Sequence, residues 1–283
     1  MKKIICPVDF SDNSLDAARF ALRFAIAAEA KIKFIYVSSV LVPTGGLTYG
    51  IGVDTPTYHL KLRKEELEDA INELYKDAKL KRDTKMSVCE AVDYASLVHG
   101  ITETAEKFKA DVIIMGTRGA AGLKRIFMGS VTASVLENAP CPVMAVPPRF
   151  SAKFIRKVGM ATELTDIKKE VKRATDFARI FGAKLDVFHI GADQPKDIKK
   201  LTEELKEKTG YAEITYSEVI PKYEGDITGG LNQYAAKQKP DVLIMFYTQR
   251  NWFDKLTQIS RTKEMLFHAD TAVLSFRRDK KKK

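Results

Sequence analysis

Four glycines and a serine occur within one 18-residue segment, MGTRGAAGLKRIFMGSVT, which spans residues 115–132. Gly119 lies three residues after Gly116, and Gly129 lies ten residues further on, followed directly by Ser130. A phosphate chain binds through backbone N–H groups at close range, and glycine permits both the close approach and a positive φ. A helix that begins near Gly129 would add free N–H groups and a favourable dipole. The segment is therefore a candidate phosphate site.

Side chains in the same segment add hydroxyl donors and positive charge. Ser130 and Thr132 can donate to terminal phosphate oxygens, and Arg118 and Lys124 can supply charge, although the spacing does not direct these two side chains inward. The segment contains neither GxxxxGK[ST] nor GxGxxG, which argues against a Walker loop and weakens a dinucleotide interpretation. The competing interpretation is a strand-to-helix loop with ordinary turn glycines.

Short β-rich runs alternate with helical patterns around this segment. Several of the runs are almost entirely apolar, which indicates a parallel sheet covered on both faces, and right-handed crossovers make the fold doubly wound. Ligands of such folds bind beyond the carboxyl ends of the strands, and Gly116 ends the fourth strand. The predicted strands are 2–8, 31–37, 86–92, 111–116 and 141–146, and the predicted helices are 11–30, 59–81, 94–110 and 130–139.

The chain also repeats itself. Residues 111–146 match residues 241–276 without gaps, so that Asp111 corresponds to Asp241, and ICPVDFSD near the start resembles GMATELTD. The sequence therefore predicts an α/β protein of two tandem doubly wound domains, each with a five-stranded parallel sheet. Pro147 and Pro148 mark the boundary, which gives domains 1–148 and 149–283.

The glycine spacing, together with PVDFSDNS near the N-terminus and PCPVMAV at the end of the first copy, resembles the nucleotide-binding signature of the universal stress proteins. The resemblance covers essentially the whole chain as a tandem pair of such domains, and it implies a Rossmann-like, adenine nucleotide alpha hydrolase-like fold. It departs from the family after the third strand, where many members have a glycine and this chain has Glu90, Ala91 and Val92.

The resemblance to ATP-binding members of the family also implies roles for individual residues. Asp9 would contact the nucleoside, Pro7 and Val8 would shape the base pocket, and Val37 would pack on the adenine. From the residues alone, Asp9 also fits a helix cap near Ser11, and Val37 also fits a core position. The remaining implied residues line the ribose and phosphates: Met115, Gly116, Arg118, Gly119, Gly129, Ser130, Val131 and Thr132.

The second copy departs from this pattern. Gly116, Gly119 and Gly129 correspond to Phe246, Gln249 and Ile259, and Asp9 corresponds to Glu163. Phenylalanine and isoleucine bring bulk to positions where a phosphate needs bare backbone. We therefore expect one nucleotide per chain, held by the first copy.

The expected ligand is ATP, or AMP or ADP, with Mg²⁺ as an optional companion. Residues 115–132 include no Glu, Asp or His that could act as a general base, which favours a regulatory or stress-response binder with little turnover. Two alternatives stay open. One is a slow ATPase or adenylate-transferring enzyme of the same fold group, and the other is a non-binding interaction scaffold.

Charge and composition restrict the partners and the location. The tail RRDKKKK contributes +5 of the net charge of +10, and without interleaved aromatics it is typical of a frayed, solvated terminus, so we do not expect nucleic acid as a partner. The three cysteines and four histidines lack the spacing of a disulfide framework or zinc site. No apolar run approaches the roughly 20 residues of a membrane span, and the N-terminus does not read as a secretory signal, so we expect a cytoplasmic protein.

The fifth strands, PVMAV and TAVLS, pair across a two-fold axis in the family. The resemblance therefore implies a pseudo-dimer within the chain, and the chain itself is then a monomer or a homodimer. The glycine-rich segment 42–56 is expected to be a loop that either closes over a ligand or is disordered.

Overall fold

The structure, a computed structural model, describes residues 1–39, 55–117, 129–150, 154–247 and 271–278. These residues form two compact units, the first comprising the described residues up to 141 and the second those from 142 onward. In the described ranges, no helix has both the length and the hydropathy that a bilayer crossing requires.

The first unit is a parallel sheet in the order β3-β2-β1-β4 with its connecting helices. Its apolar strands lie in the core, and Ile4, Ile5 and Ile113 are fully buried. Its elements are β1 (Lys3–Pro7), α1 (Asp12–Ala27), β2 (Lys31–Ser38), α2 (Thr55–Asp77), β3 (Ser87–Asp93), α3 (Leu97–Phe108), β4 (Val112–Gly116) and α4 (Ser130–Asn138).

The second unit repeats this arrangement. Five parallel strands follow the order β10-β9-β6-β7-β8, and β5, the last strand of the first sequence copy, pairs antiparallel with β10. The α/β fold with a mostly parallel sheet is therefore confirmed. The elements are β5 (Val143–Val146), β6 (Lys157–Ala161), α5 (Ile167–Phe181), β7 (Lys184–Ile190), α6 (Ile198–Thr209), β8 (Ile214–Val219), α7 (Ile227–Gln238), β9 (Val242–Tyr247) and β10 (Ala272–Arg277).

All four helices of the first unit differ from their predicted bounds, and α1 ends three residues early, at Ala27. Helix α2 begins at Thr55, four residues earlier than predicted, because Pro56 fits the first turn of a helix. It ends at Asp77, since Lys79 has a left-handed backbone with φ of 56°. Helix α3 begins after the N-cap Ser96 and ends before Lys109, whose φ is 54°.

The internal repeat extends to single hydrogen bonds. Oδ2 of Asp111 accepts the backbone N–H groups of Lys2 and Lys3 at 2.6 and 3.0 Å. Oδ2 of Asp241 accepts those of Arg156 and Lys157 at 2.7 and 2.9 Å. In both copies, then, one carboxylate joins the start of the first strand to the start of the fourth.

The basic tail is less solvated than its composition suggests. Arg277 ends β10, and the Arg278 side chain forms ion pairs with Glu163 and Glu170. The expectation of a frayed terminus is therefore wrong for these two residues, because Arg277 belongs to β10 and the buried carboxylate of Glu170 pairs with Arg278. Residues 279–283 lie outside the described part of the chain.

Candidate functional site

The end of β1 places Asp9 at the start of α1. Its Oδ1 accepts hydrogen bonds from the backbone N–H and the hydroxyl of Ser11, at 3.0 and 2.6 Å, and Ser11 is the N-cap of the helix. Asp9 thus shapes the entry to α1, which was the alternative role open from its sequence.

Two hydrogen bonds fix the start of α4 against the end of β4. The buried Thr132 hydroxyl donates to the carbonyl of Gly116 at 2.9 Å, and the N–H of Gly129 donates to the carbonyl of Thr117 at 2.6 Å. The Thr132 hydroxyl was expected to donate to a phosphate. In the structure it donates to the carbonyl of Gly116 instead. The neighbouring Ser130 is exposed.

The first turn of α4 offers backbone N–H groups to an anion. Gly129 caps the helix without a side-chain hydrogen bond, and its carbonyl accepts the first helical bond from the N–H of Ala133. The N–H groups of Ser130, Val131 and Thr132 come before that bond and have no acceptor within the helix. A helix start of this kind favours a phosphate or carboxylate.

Glycine is required at position 116 for space and not for its φ. A methyl group there would lie 2.9 Å from Oδ1 of Asn13 and 3.0 Å from its backbone oxygen. Neither Gly116 nor Gly129 adopts a positive φ, and Gly129 has φ of −60°. Positive φ, one of the reasons given for these glycines from sequence, is thus not used at either position. Close approach of a phosphate at Gly116 stays a prediction, because the neighbour that requires glycine there is Asn13.

Val8, Val37 and Met115 are buried, and Pro7 is half-buried. Val37 packs against α3, because a methyl group at Gly100 would lie 2.5 Å from its Cγ1. Its position is thus that of a core residue at the carboxyl end of β2, the second interpretation left open by its sequence.

The structure brings the described candidates to the carboxyl ends of adjacent strands. Asp9 follows β1, Gly116 ends β4, and Thr132 contacts Gly116 from α4. Arg118 and Gly119, with Lys124 and most of the segment 42–56, lie outside the described residues. Asn13 was missed from sequence, where it reads as an ordinary residue of the first helical turn in PVDFSDNS.

In the second unit, larger apolar side chains occupy the positions that correspond to Asn13 and Gly116. Phe246, the counterpart of Gly116, is buried and stacks on Phe276 with ring centroids 5.2 Å apart. Ile167, the counterpart of Asn13, is an apolar residue. At the carboxyl ends of its strands, the second unit therefore has two apolar side chains at positions where the first unit has a glycine and an amide.

In the second unit, the counterpart of Asp9 is Glu163, which belongs to a cluster of ion pairs. Glu163 pairs with Arg278, whose Nε also lies 2.8 Å from Oε1 of the buried Glu170. Oε2 of Glu170 accepts the hydroxyl proton of Thr162 at 2.7 Å. Burial alone would lower the pKa of Arg278, but the two carboxylates outweigh it and raise that pKa above its ordinary value. Glu163 thus stabilises the fold of this unit.

Within the described ranges, no group of three or more His, Cys, Asp or Glu side chains is arranged to hold a metal ion.

Comparison with known proteins identifies relatives of both the sequence and the fold. The sequence model of the universal stress protein family matches residues 1–147. A universal stress protein of Methanocaldococcus jannaschii is 40% identical over 150 residues, which cover 51% of this chain and 81% of the relative. The universal stress protein YxiE of Bacillus subtilis is 29% identical over 146 residues, covering 51% of this chain and 97% of the relative.

A solved structure extends the likeness to nearly the whole chain. A universal stress protein from Archaeoglobus fulgidus DSM 4304 has a TM-score of 0.67 at 18% identity, and the match covers 98% of this chain and 97% of that chain. At this identity the match shows the fold alone.

Proposed function

This chain belongs to the universal stress protein family, and on that basis we propose that its first unit binds an adenine nucleotide, which is ATP, ADP or AMP. The role is regulatory or stress-related, with little or no turnover. The binding residues are those named from the sequence, with the phosphates at the start of α4 and with Thr132 contributing its backbone N–H in place of its hydroxyl. Residues 1–148 form the nucleotide-binding domain and 149–283 the degenerate one.

One observation carries the proposal: the last residue of β4 and the N-cap of α4 are both glycines. Gly116 ends the strand, Gly129 caps the helix without a side chain, and the Thr132 hydroxyl holds the two together. The N–H groups of the first helical turn and the helix dipole favour an anion at this junction. A nucleotide phosphate chain fits that chemistry.

The same residues support binding over catalysis. Residues 115–132 include no carboxylate or histidine, and Asp9, the candidate carboxylate that follows β1, accepts two hydrogen bonds from Ser11. When Mg²⁺ accompanies the nucleotide, it supplies charge neutralisation to the phosphates, while this chain's residues bind and orient them.

Assembly and location complete the proposal. The antiparallel pairing of β5 with β10 supports a pseudo-dimer within one chain. The three cysteines are free thiols, as in proteins of reducing compartments, which supports a cytoplasmic location.

Identification of the nucleotide in purified protein tests the proposal directly. Protein is denatured, the released nucleotide is identified, and stripped protein is titrated with ATP by calorimetry. We expect one site per chain, and ATP at 100 times its Kd should raise the free energy of unfolding by about 2.7 kcal/mol. Two equivalent sites, or neither heat nor stabilisation, would contradict it.

Matched variants of the two copies locate the site. Asp9→Asn should weaken ATP binding about tenfold, because it removes the charge that favours ribose hydroxyl donors. Glu163→Gln, at the corresponding position, should leave the affinity unchanged. Equal effects of the two variants would argue against assignment of the nucleotide to the first unit.

A further inference from the structure

We propose that one face of α5 binds the phosphodiester backbone of double-stranded nucleic acid without reading its sequence. The surface, which we call the α5 basic face, is made of exposed cations of α5 and of the end of β10: Lys168, Lys169, Lys172, Arg173 and Arg277. It lies entirely in the second unit, so the inference goes beyond nucleotide binding by the first unit and does not depend on it.

The positive charge of the chain is concentrated in its second copy. Residues 149–283 contain 28 Lys and Arg against 19 Asp and Glu, a net charge of +9, whereas residues 1–148 contain 19 against 18, a net charge of +1. The tail 277–283 supplies +5 of the +9, and α5 supplies +3, with five basic and two acidic residues. The corresponding helix α1 of the first copy has two of each and is neutral. The charge of α5 therefore distinguishes the two copies.

The helix gathers its cations on one side. With 3.6 residues per turn and a rise of about 1.5 Å per residue, the four helical cations of the α5 basic face fall within about 140° of arc and about 7 Å of axis. The opposite side of α5 packs in the core, where Val171 and Ala174 are fully buried. Glu170 is also buried and ion-paired, which leaves Asp176 as the exposed acidic residue of this helix. The exposed side is therefore strongly positive.

Neighbouring groups hold part of this face in place without neutralising it. Nη1 of Arg173 donates to the backbone carbonyl of Arg277 at 3.2 Å, and its guanidinium lies 5.5 Å from the centre of the Phe276 ring. Neither contact involves a carboxylate, so neither offsets the positive charge of Arg173. Lys168 lies 3.8 Å from Glu204 of α6, but both side chains are about half exposed, so this pair contributes little.

The chemistry of the face selects among classes of partner. Protein interfaces are poor in lysine and rich in aromatic contacts, whereas three of these five residues are lysines. No large hydrophobic residue of α5, a helix that is described in full, is exposed for insertion into a membrane. Single strands stack their bases on exposed aromatic side chains, and the Phe276 ring is buried. The phosphate array of a duplex remains, and lysine and arginine bind it through charge.

The sequence alone did not indicate this partner. The expectation against nucleic acid rested on the tail, whose lysines lack interleaved aromatics. That lack excludes base stacking but not contact with phosphates. In the sequence of α5 the cations alternate with apolar and acidic residues, and they form one face only when the helix is folded.

Salt-dependent binding tests the inference. A fluorescently labelled duplex of about 20 base pairs, as DNA and as RNA, is titrated with the full chain at several salt concentrations, and fluorescence anisotropy is the readout. The probe variant is Lys168→Gln, Lys169→Gln, Lys172→Gln, Arg173→Gln. The control variant, Lys61→Gln, Lys64→Gln, Lys81→Gln, Lys85→Gln, removes four exposed lysines of the first unit, so both variants have the same net charge.

We expect the wild-type chain and the control variant to bind the duplexes, and the probe variant to bind at least about tenfold more weakly at about 100 mM salt. Each lost phosphate contact reduces the slope of log affinity against log salt by about 0.9, so the slope of the probe variant should be shallower by about 2 to 4. Binding of either duplex supports the inference, and the tighter one identifies the source of the phosphates. The smaller variant Lys169→Gln, Lys172→Gln, which keeps the contacts of Arg173, should show about half of the change in slope.

Four results would overturn the inference. They are no binding by the wild-type chain, equal weakening by the probe and control variants, a loss of binding only when the tail lysines 280–283 are replaced by glutamine, and tighter binding of polyglutamate or phosphatidylserine vesicles than of either duplex. Circular dichroism checks that each variant is folded. Calorimetry with ATP should give the same Kd for the probe variant and the wild-type chain, so failure of this inference would leave the proposed function standing.

Discussion

At the scale of single residues, the two copies use corresponding positions for different purposes. Asp9 and Glu163 both follow the first strand of their copy, yet Asp9 serves the N-cap of α1 whereas Glu163 pairs with Arg278. The sequence predicted that Glu163 replaces Asp9 and that the second copy therefore lacks a nucleotide site. It did not predict the ion cluster. Glu163 and Arg278 are 115 residues apart, and only the fold brings them together.

Removal of Arg278 tests the weight of that cluster. Arg278→Met leaves the buried Glu170 without its cation, so we expect the free energy of unfolding to fall by about 3 kcal/mol. Urea denaturation followed by circular dichroism measures it. The matched control is Arg277→Met, an exposed neighbour, which should change the stability by less than about 0.5 kcal/mol.

The double variant Arg278→Met with Glu170→Gln separates lost charge pairing from lost packing. It removes the buried negative charge and should recover part of the stability. A double variant no more stable than Arg278→Met alone would show that Arg278 acts through packing.

At the scale of elements, hydrophobic periodicity predicted nearly every strand and helix of the first unit, and backbone conformation at single residues set their ends. Left-handed Lys109 and Lys239 stop α3 and α7, and lysine carries no sequence signal for that conformation. The contact of Asn13 with Gly116 escaped prediction for a related reason. Helical periodicity indicates which face is buried, but not which strand end that face meets.

A glycine in each copy lets the third helix approach the second strand. Gly230 of α7 contacts Ile190 as Gly100 of α3 contacts Val37, and an added methyl group at Gly230 would overlap Cγ2 of Ile190. Alanine normally stabilises a helix interior over glycine by about 1 kcal/mol. Gly230→Ala should instead destabilise the chain by about 2 kcal/mol, as measured by urea denaturation.

A double-mutant cycle with Ile190→Ala identifies the overlap as the cause. The double variant should lose less stability than the two single variants combined, because the methyl group then occupies the vacated space. Additive losses would show that the helix approach does not limit position 230.

At the scale of the whole molecule, burial of weak acids makes stability depend on alkaline pH. Burial raises the pKa of the thiol of Cys89 to about 11, and that of Cys141 to about 12. Burial, reinforced by Glu218, raises the pKa of the Tyr216 phenol to about 12. The folded chain keeps these protons where the unfolded chain releases them.

Stability should therefore fall as pH rises from the ordinary thiol value of 9.0 toward about 12. Urea midpoints at pH 8 and pH 10.5 (about 1.5 units above the ordinary thiol value) measure the fall. The Cys89→Ala, Cys141→Ala double variant should show a smaller difference between the two pH values. An unchanged difference would show that the thiols ionise equally in both states.

The pairing of β5 with β10 determines how the chain can be divided. Residues 143–145 come from the first sequence copy but supply the hydrogen-bonding partner of the last strand of the second. A break in the chain at residue 148 would remove the covalent link between β5 and β10. The backbone groups of β10 could then pair with any extended segment nearby. Fusion of the two copies keeps β5 at a high local concentration near β10, which disfavours pairing of β10 with strands of other molecules.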